Sequence, residues 1–199
     1  MADIDIKSIK RLRELTGVGI TDAKKALVES KGDFDKALEA MRVKGLAKAD
    51  KRSERVVRAG IVDAYVHSDR IGVLVEVNCE TDFVARNKIF RDFVHDISLH
   101  VAASAPQYVA SADVPKEVLI KEIDLIKEEL KSSGKPANMI DKIAEGKLTK
   151  FYDQVCLLNQ PFVKNPDQTI DDLLKETIAK LGENIVIRRF ERIALGEVS

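Results

Sequence analysis

The side chains that could perform nucleophilic or metal chemistry are few and widely separated in this sequence. The two cysteines, Cys79 and Cys156, form neither a disulfide framework nor a C-x-x-C zinc motif. Of the three histidines, His95 and His100 are five residues apart and point to different faces of a predicted helix, while His67 lies elsewhere. A lone cysteine beside an apolar strand is more often packed and inert than nucleophilic. The sequence therefore predicts no catalytic residue and no metal site.

Nucleotide-binding motifs are also missing from the sequence. No G-x-x-x-x-G-K-[ST] phosphate loop occurs, so we expect that the chain does not hold a nucleotide itself. Gly17-Val18-Gly19 has the spacing that begins a dinucleotide fingerprint, but Asp22 takes the place of its third glycine and a helical pattern precedes it. We therefore expect no cofactor, and a protein that acts by binding rather than by covalent catalysis.

One stretch, residues 12–20, has apolar side chains where polar ones are usual. It places Val18, Gly19 and Ile20 in a glycine-rich turn between two predicted helices. The apolar Val18 and Ile20 at such a turn indicate a contact with a partner protein. They could instead pack against their own helices as a hydrophobic staple, and the residues alone leave both interpretations open.

A second stretch, residues 76–87, joins a predicted strand to a predicted helix. Thr81 or Asp82 can cap that helix, and Phe83 can fix the turn to the core. Alternatively, Asp82 and Phe83 form a protruding wedge that combines a charge with an aromatic anchor, and aromatic residues are enriched at protein interfaces. Spacing alone does not decide between the cap and the wedge.

The elements that position these stretches follow from the spacing of apolar residues. Helical spacing over residues 1–44, interrupted at Gly17–Gly19 and at 31–33, predicts a module of three short helices. Residues 45–58 are rich in charge, and we expect a solvated hinge or an exposed helix there. Phosphate binding by this linker is the alternative, although no aromatic residue interleaves with its charges as base stacking would require.

From residue 59 onward the pattern becomes that of a mixed core. A period of two predicts a hairpin of strands at 61–67 and 71–78, and a third strand is predicted at 185–193. The apolar face of the second strand carries Ile71, Val73, Val75 and Val77. Helical patterns that can cover this face occur at 88–105, after Pro115, around 140–155 and after Thr169. The expected fold class for residues 59–199 is α+β, with helices packed on a small, mainly antiparallel sheet.

Composition limits the function classes. Hydrophobic residues make up 45% of the chain, which is enough to form a core, and 33 basic residues balance 33 acidic ones. A neutral total argues against a dedicated nucleic-acid binder. The acidic N-terminus does not resemble a secretory signal, and no apolar run approaches the length of a membrane span. With two thiols and no disulfide framework, we expect a cytoplasmic protein.

Both stretches resemble the signature motifs of the elongation factor Ts family. The first match comprises Leu12-Arg13, Thr16-Gly17, Gly19-Ile20 and Lys24-Lys25-Ala26-Leu27. The second match is the unbroken run from Glu76 to Arg86. Two long matches at the separation expected for the family form a specific signal, and the similarity extends over the whole chain to the ending near 185–196.

The resemblance implies a ubiquitin-associated-like helical module followed by an α+β core. It implies a role in translation, with elongation factor Tu as the partner in its GDP-bound and nucleotide-free forms, and release of GDP as the activity. In the family, the segment that matches Thr81, Asp82, Phe83 and Val84 reaches the GTPase domain of the partner and disturbs its magnesium site. The helical module also docks there, which makes Val18, Gly19 and Ile20 contact candidates.

One departure from the family pattern affects what can be carried over. The long form has two core halves and a projecting helical hairpin, whereas this chain, at 199 residues, resembles the short form with one half. A homodimer could supply the missing contacts, because an unpaired sheet edge invites self-association. Two other functions stay open: an adaptor for ubiquitin-like proteins through the helical module, and an RNA-binding adaptor through the linker.

Overall fold

The N-terminal part of the computed structural model, which describes residues 5–133 and 137–197, is a bundle of three helices. They are α1 (Ile6–Thr16), α2 (Ile20–Glu29) and α3 (Phe34–Asp50). Asp5 and Asp33 cap α1 and α3 by accepting hydrogen bonds from backbone N–H groups of the first turn. The bundle has its own small core, which includes Leu12, Ala23, Leu27 and Met41. The predicted helical module is thereby confirmed.

The third helix is longer than the periodicity indicated. It runs through the first part of the predicted linker and ends at Asp50, and Ala49 is buried in the core of the following part of the chain. Residues 51–58 then turn towards the sheet and have mostly exposed side chains. The division of the chain at 44 and 58 stays a prediction, and its first boundary lies inside a helix.

A three-stranded antiparallel sheet forms the centre of the second part. Its strands are β1 (Ala59–His67), β2 (Ile71–Cys79) and β5 (Ile185–Ala194), and their order is β1-β2-β5. Ser68 and Asp69 both have positive φ angles, 50° and 56°, in the turn of residues 68–70 that joins β1 to β2. The expectation that the last strand joins the hairpin is confirmed, and β2 is the central strand.

Helices cover one face of this sheet. They are α4 (Asp82–Ala85), α5 (Lys88–Ser104) and α8 (Ile170–Leu181), while α6 (Lys116–Ser132) and α7 (Ala137–Val155) pack chiefly against each other. Alternate residues of β2, including Val73, Val75 and Val77, are buried beneath α5 and α8 with Phe90, Ile97 and other apolar side chains. The predicted α+β class, with helices on a small antiparallel sheet, is confirmed.

The other face of the sheet exposes apolar side chains. Val62, Val66, Leu74 and Ile193 are between 51% and 76% exposed. The strand register places these residues on the same side, where Glu76 also accepts a 2.8 Å hydrogen bond from Arg189 of the neighbouring strand. This uncovered side is called the open face below.

A second, two-stranded sheet was not predicted from the sequence. The proline-containing segment read as an irregular connection contains β3 (Pro161–Phe162) and β4 (Asn165–Thr169). Helices α6 and α7 pack against each other as the pattern predicts, through a small cluster that includes Ile126, Leu130 and Ala144. Residues 134–136, the predicted end of α6, and the side chain of Ile140 lie outside the described residues.

Candidate functional site

The stretch between β2 and α5 forms a single exposed helical turn, α4. Thr81 caps it: the Thr81 hydroxyl accepts a hydrogen bond from the Val84 N–H, with an N–O distance of 3.4 Å. Asp82 and Phe83 project from this turn, and Phe83 is 82% exposed. Val84, by contrast, is only 5% exposed and belongs to the core. The turn is therefore anchored by Val84 and presents Asp82 and Phe83 to solvent.

The structure combines the two local interpretations of this stretch. Thr81 is the helix cap, as one interpretation holds, and Asp82 and Phe83 protrude, as the other holds. Phe83 does not fix the turn to the core. A large aromatic side chain in water is unfavourable unless a partner covers it, because burying such a side chain contributes about 1.5–3 kcal/mol. The pair Asp82 and Phe83 on α4 is called the wedge below.

The residues that precede the wedge, Glu80 and Thr81, form hydrogen bonds with residues that lie far away in sequence. The Glu183 carboxylate accepts hydrogen bonds from the Thr81 N–H at 3.0 Å and from the Thr81 hydroxyl at 2.7 Å. The adjacent Asn184 donates its backbone N–H to Glu80 at 2.6 Å, and Arg55 lies 3.5 Å from the same Glu80 oxygen. These contacts give the short turn a fixed base at the end of β2.

Sequence reasoning missed Glu80, Glu183 and Asn184. A weak signal was available at Gly182, the predicted end of α8, because two polar residues stand between this glycine and a strand of apolar residues. Asn184 is 2% exposed in the structure. A buried amide normally has its hydrogen bonds satisfied, but the sequence does not say which backbone groups will be its partners.

The turn between α1 and α2 contains the other group of candidate residues. Gly17 ends α1 in the left-handed conformation, with φ of 67°. Val18 is partly buried against the core of its own helical bundle, and Gly19 is the N-cap of α2. Ile20 begins α2 and is 57% exposed. Of the two apolar side chains in this turn, Val18 contributes to packing and Ile20 is available for contact.

The two candidate regions lie on either side of the end of α8. The Gly17–Gly19 turn and this end of the helix together line a cleft of about 230 Å³, whose lining includes Lys180 and Gly182. Gly182 directly precedes Glu183, which holds Thr81. The turn therefore contacts α8 itself, and the residue before the wedge, Thr81, contacts the loop that follows α8.

The groups that could carry chemistry are placed unfavourably for it. Cys79 is fully buried, and burial, reinforced by the nearby charge of Glu183, raises the pKa of its thiol to about 11. Burial also raises the pKa of the Cys156 thiol. His100 is buried and hydrogen-bonded to Gln160. Because the thiolate is the reactive form of cysteine, neither thiol has the environment of a nucleophile.

Within 5–133 and 137–197, no group of three or more His, Cys, Asp or Glu side chains is placed to bind a metal ion. None of the helices over the same ranges is long and apolar enough to cross a membrane. The described candidate residues thus comprise an exposed aromatic side chain and carboxylate on a hydrogen-bonded turn, and an exposed apolar side chain, Ile20, in the helical bundle.

Comparison with known proteins assigns the chain to a family. The family model described as "Elongation factor TS" matches residues 5–177. The chain is 53% identical over 195 residues to the elongation factor Ts of Carboxydothermus hydrogenoformans, covering 98% of this chain and 90% of that protein. It is 55% identical over 190 residues to the elongation factor Ts of Moorella thermoacetica, covering 95% and 94%. Because these matches span nearly the whole chain, it belongs to the elongation factor Ts family of translation elongation factors.

Proposed function

We propose that this chain is a guanine-nucleotide exchange factor that binds elongation factor Tu and promotes its release of GDP. The observation that carries the proposal is the wedge: Phe83 is 82% exposed on a short helix whose base is fixed by Val84 and Glu183. The family supports translation elongation as the setting. The chain acts on a bound nucleotide in its partner and performs no covalent step.

The mechanism follows from linkage between two binding events. In GTPases, Mg²⁺ bridges phosphate oxygens and protein ligands and contributes to tight nucleotide binding. Phe83 is suited to fill an apolar pocket of the partner, and Asp82 brings a negative charge beside that pocket. If this contact fits the nucleotide-free partner better than the loaded one, it must weaken nucleotide binding, and GDP must weaken the contact by the same factor. GTP then displaces the factor.

Ile20 supplies a second contact in this proposal. It is exposed at the start of α2, directly after the Gly17–Gly19 turn that lines a cleft with the end of α8. Two linked contacts bind more tightly than either alone, because the second forms at a high effective concentration. Val18 supports this contact indirectly, since it packs the turn against the helical bundle.

The test is the release of fluorescent GDP from elongation factor Tu with the wild-type chain and with Phe83→Ala. Truncating an interface anchor typically costs about 2–4 kcal/mol, so we expect stimulation to fall by about 30-fold or more. The melting temperature should not change, because Phe83 makes little contact with the fold. Leu125→Ala, which removes an exposed apolar side chain of α6, is the matched control and should stay active.

Three results bear on this proposal separately. A wild-type chain that does not accelerate GDP release contradicts the exchange function. A fully active Phe83→Ala variant contradicts the role of the wedge and makes Ile20 the leading contact. Saturating GDP with Mg²⁺ should dissociate the complex, and an affinity that is independent of nucleotide would contradict the reciprocal coupling.

We also propose that a second copy of the chain covers the open face. Its apolar side chains, which include Val62, Leu74 and Ile193, lie on one side of the sheet, and the charges of Glu76 and Arg189 beside them are already paired with each other, so a second copy can cover the patch without leaving these charges unpaired. A two-fold dimer brings such a patch against itself. In sedimentation equilibrium, Leu74→Asp should shift the mass towards the monomer, and Leu125→Asp, which charges an exposed site on α6, should not. A wild-type chain that is monomeric at high concentration would contradict this arrangement.

A further inference from the structure

The loop between α8 and β5 contacts both the turn that carries the wedge and the segment that follows the helical bundle. Gly182 ends α8 in the left-handed conformation, and Glu183 and Asn184 follow before β5 begins. The Glu183 carboxylate accepts both the N–H and the hydroxyl of Thr81, 102 residues away. The Thr81 hydroxyl donates to Glu183 and accepts from the Val84 N–H, so Glu183 orients the group that caps α4.

Asn184 makes hydrogen bonds to the segment that follows the helical bundle, residues 51–58. Its side-chain amide donates to the backbone carbonyls of Ser53 at 3.1 Å and Arg55 at 2.8 Å. Its own N–H donates to Glu80 at 2.6 Å. Asn184 is 2% exposed, and a buried amide of this kind fixes its partners because losing one would leave a buried polar group unpaired.

The last two turns of α8 contact the helical bundle itself. Gly17 approaches Lys180 so closely that a β-carbon at Gly17 would lie 2.6 Å from the Lys180 Cα. Arg42 of α3 pairs with Glu176 at 3.1 Å, and Arg52 donates to the Ile178 carbonyl at 3.1 Å. The bundle, the segment after it and the wedge therefore all meet at the end of α8.

We propose that Glu183 and Asn184 are positioning residues for nucleotide exchange. Glu183 holds the wedge in its protruding conformation, and Asn184 fixes the distance between the wedge and the helical bundle that carries Ile20. A single helical turn is marginal on its own in water, so α4 needs hydrogen bonds from outside to keep one conformation. This inference rests on the proposed exchange function, and deepens it by naming the residues that pre-organise its two contacts.

The first test uses the free protein and needs no partner. Glu183→Ala removes both acceptors of Thr81, so the backbone amides of Thr81 and Val84 should exchange with deuterium at least tenfold faster, while amides of β2 stay unchanged. Glu183→Gln retains one carbonyl acceptor and should give an intermediate rate. Glu197→Ala is the matched control, because Glu197 also forms a short ion pair, with Arg192, but lies near the opposite end of β5.

The second test measures GDP release from elongation factor Tu with the same variants. If only about a tenth of Glu183→Ala molecules hold the wedge correctly, the concentration for half-maximal stimulation should rise about tenfold at an unchanged maximal rate. Glu183→Gln should restore part of this loss. A variant damaged only in stability would have a smaller folded fraction by circular dichroism, and its half-maximal concentration, expressed per folded molecule, would equal that of the wild type.

A double-variant cycle shows whether Glu183 acts through the wedge. Adding Glu183→Ala to Phe83→Ala should slow GDP release little further, since the anchor that Glu183 positions is already gone. Fully additive losses, or a Glu183→Ala variant with unchanged Thr81 amide exchange, would overturn the proposal. If the wild-type chain does not release GDP, the exchange function fails, and the amide-exchange result alone decides whether Glu183 holds the turn.

Discussion

At the scale of single residues, His100 shows how a buried titratable group can be structural. Its Nε2 lies 2.9 Å from Gln160 Oε1, and its Nδ1 accepts the N–H of Val163 at 3.3 Å. The ring is therefore neutral, with its proton on Nε2. Burial holds the pKa of His100 below its ordinary value, because a charged imidazolium would lose hydration and its Nδ1 could no longer accept a hydrogen bond.

This arrangement predicts a loss of stability at mildly acidic pH. The folded-state pKa is lower than the unfolded value of about 6.5, so the contribution of His100 is fully present above that pH and is lost as pH falls below it. Urea unfolding between pH 5 and pH 8 should show this slope in the wild type and a smaller slope in His100→Gln. His67→Gln, which replaces an exposed ring, should keep it. An unchanged slope in His100→Gln would show that another group causes the pH dependence of the unfolding free energy.

At the scale of elements, the packing of α1 against α8 depends on one glycine. Gly17 has a left-handed φ of 67°, and a β-carbon there would overlap the backbone of Lys180. Gly17→Ala should therefore destabilise the fold by more than about 1 kcal/mol, through both the backbone conformation and the clash. For a chain of this size, thermal unfolding should show a decrease of at least about 2 °C in Tm.

Gly146→Ala is the contrasting substitution. Gly146 lies within α7, is exposed and has no heavy atom near its missing β-carbon. Alanine there should stabilise the helix by about 0.5–1 kcal/mol. Equal effects of the two substitutions would mean that the contact between Gly17 and Lys180 does not constrain the packing of α1.

The helices and strands also show how much of the fold can be predicted from the sequence. The strands β1, β2 and β5, the helix α5 and the caps at Thr81 and Thr169 follow from local periodicity and capping residues, and the structure contains them. The strands β3 and β4 escape prediction because they are short and contain prolines. The contacts of Glu183 and Asn184 escape it for another reason: they join residues more than 100 positions apart, and hydrogen bonds of this kind leave no periodic pattern.

At the scale of the whole molecule, residues 51–58 join the core of the helical bundle to the core beneath the sheet. The division of the chain at 44 and 58 stays a prediction, and α3 occupies the first part of the predicted linker, to Asp50. We expect limited trypsin digestion to cut first within 51–58, which is mostly exposed and contains several basic residues. Cutting that begins in the turn between β1 and β2 would contradict this division into two units.

The same digestion tests what restrains the linker. Asn184→Ala removes the hydrogen bonds to the carbonyls of Ser53 and Arg55, so cleavage within 51–58 should become several-fold faster. Thr149→Ala, which removes an exposed hydroxyl that bonds only within α7, is a control that should leave the cleavage rate unchanged. Equal cleavage rates in Asn184→Ala and the wild type would show that this side chain does not restrain the linker.

The position of β2 between β1 and β5 affects how the chain folds as it is synthesised. The helical bundle is built from contacts within the first 50 residues and can form early, because local contacts require little loop closure. The central strand has one neighbour at once, but its second neighbour follows it in the chain by more than 100 residues. Until Ile185–Ala194 emerge, one edge of β2 stays unpaired and open to association with other nascent chains. The central sheet of this chain is therefore completed only after the long intervening segment of helices has been synthesised.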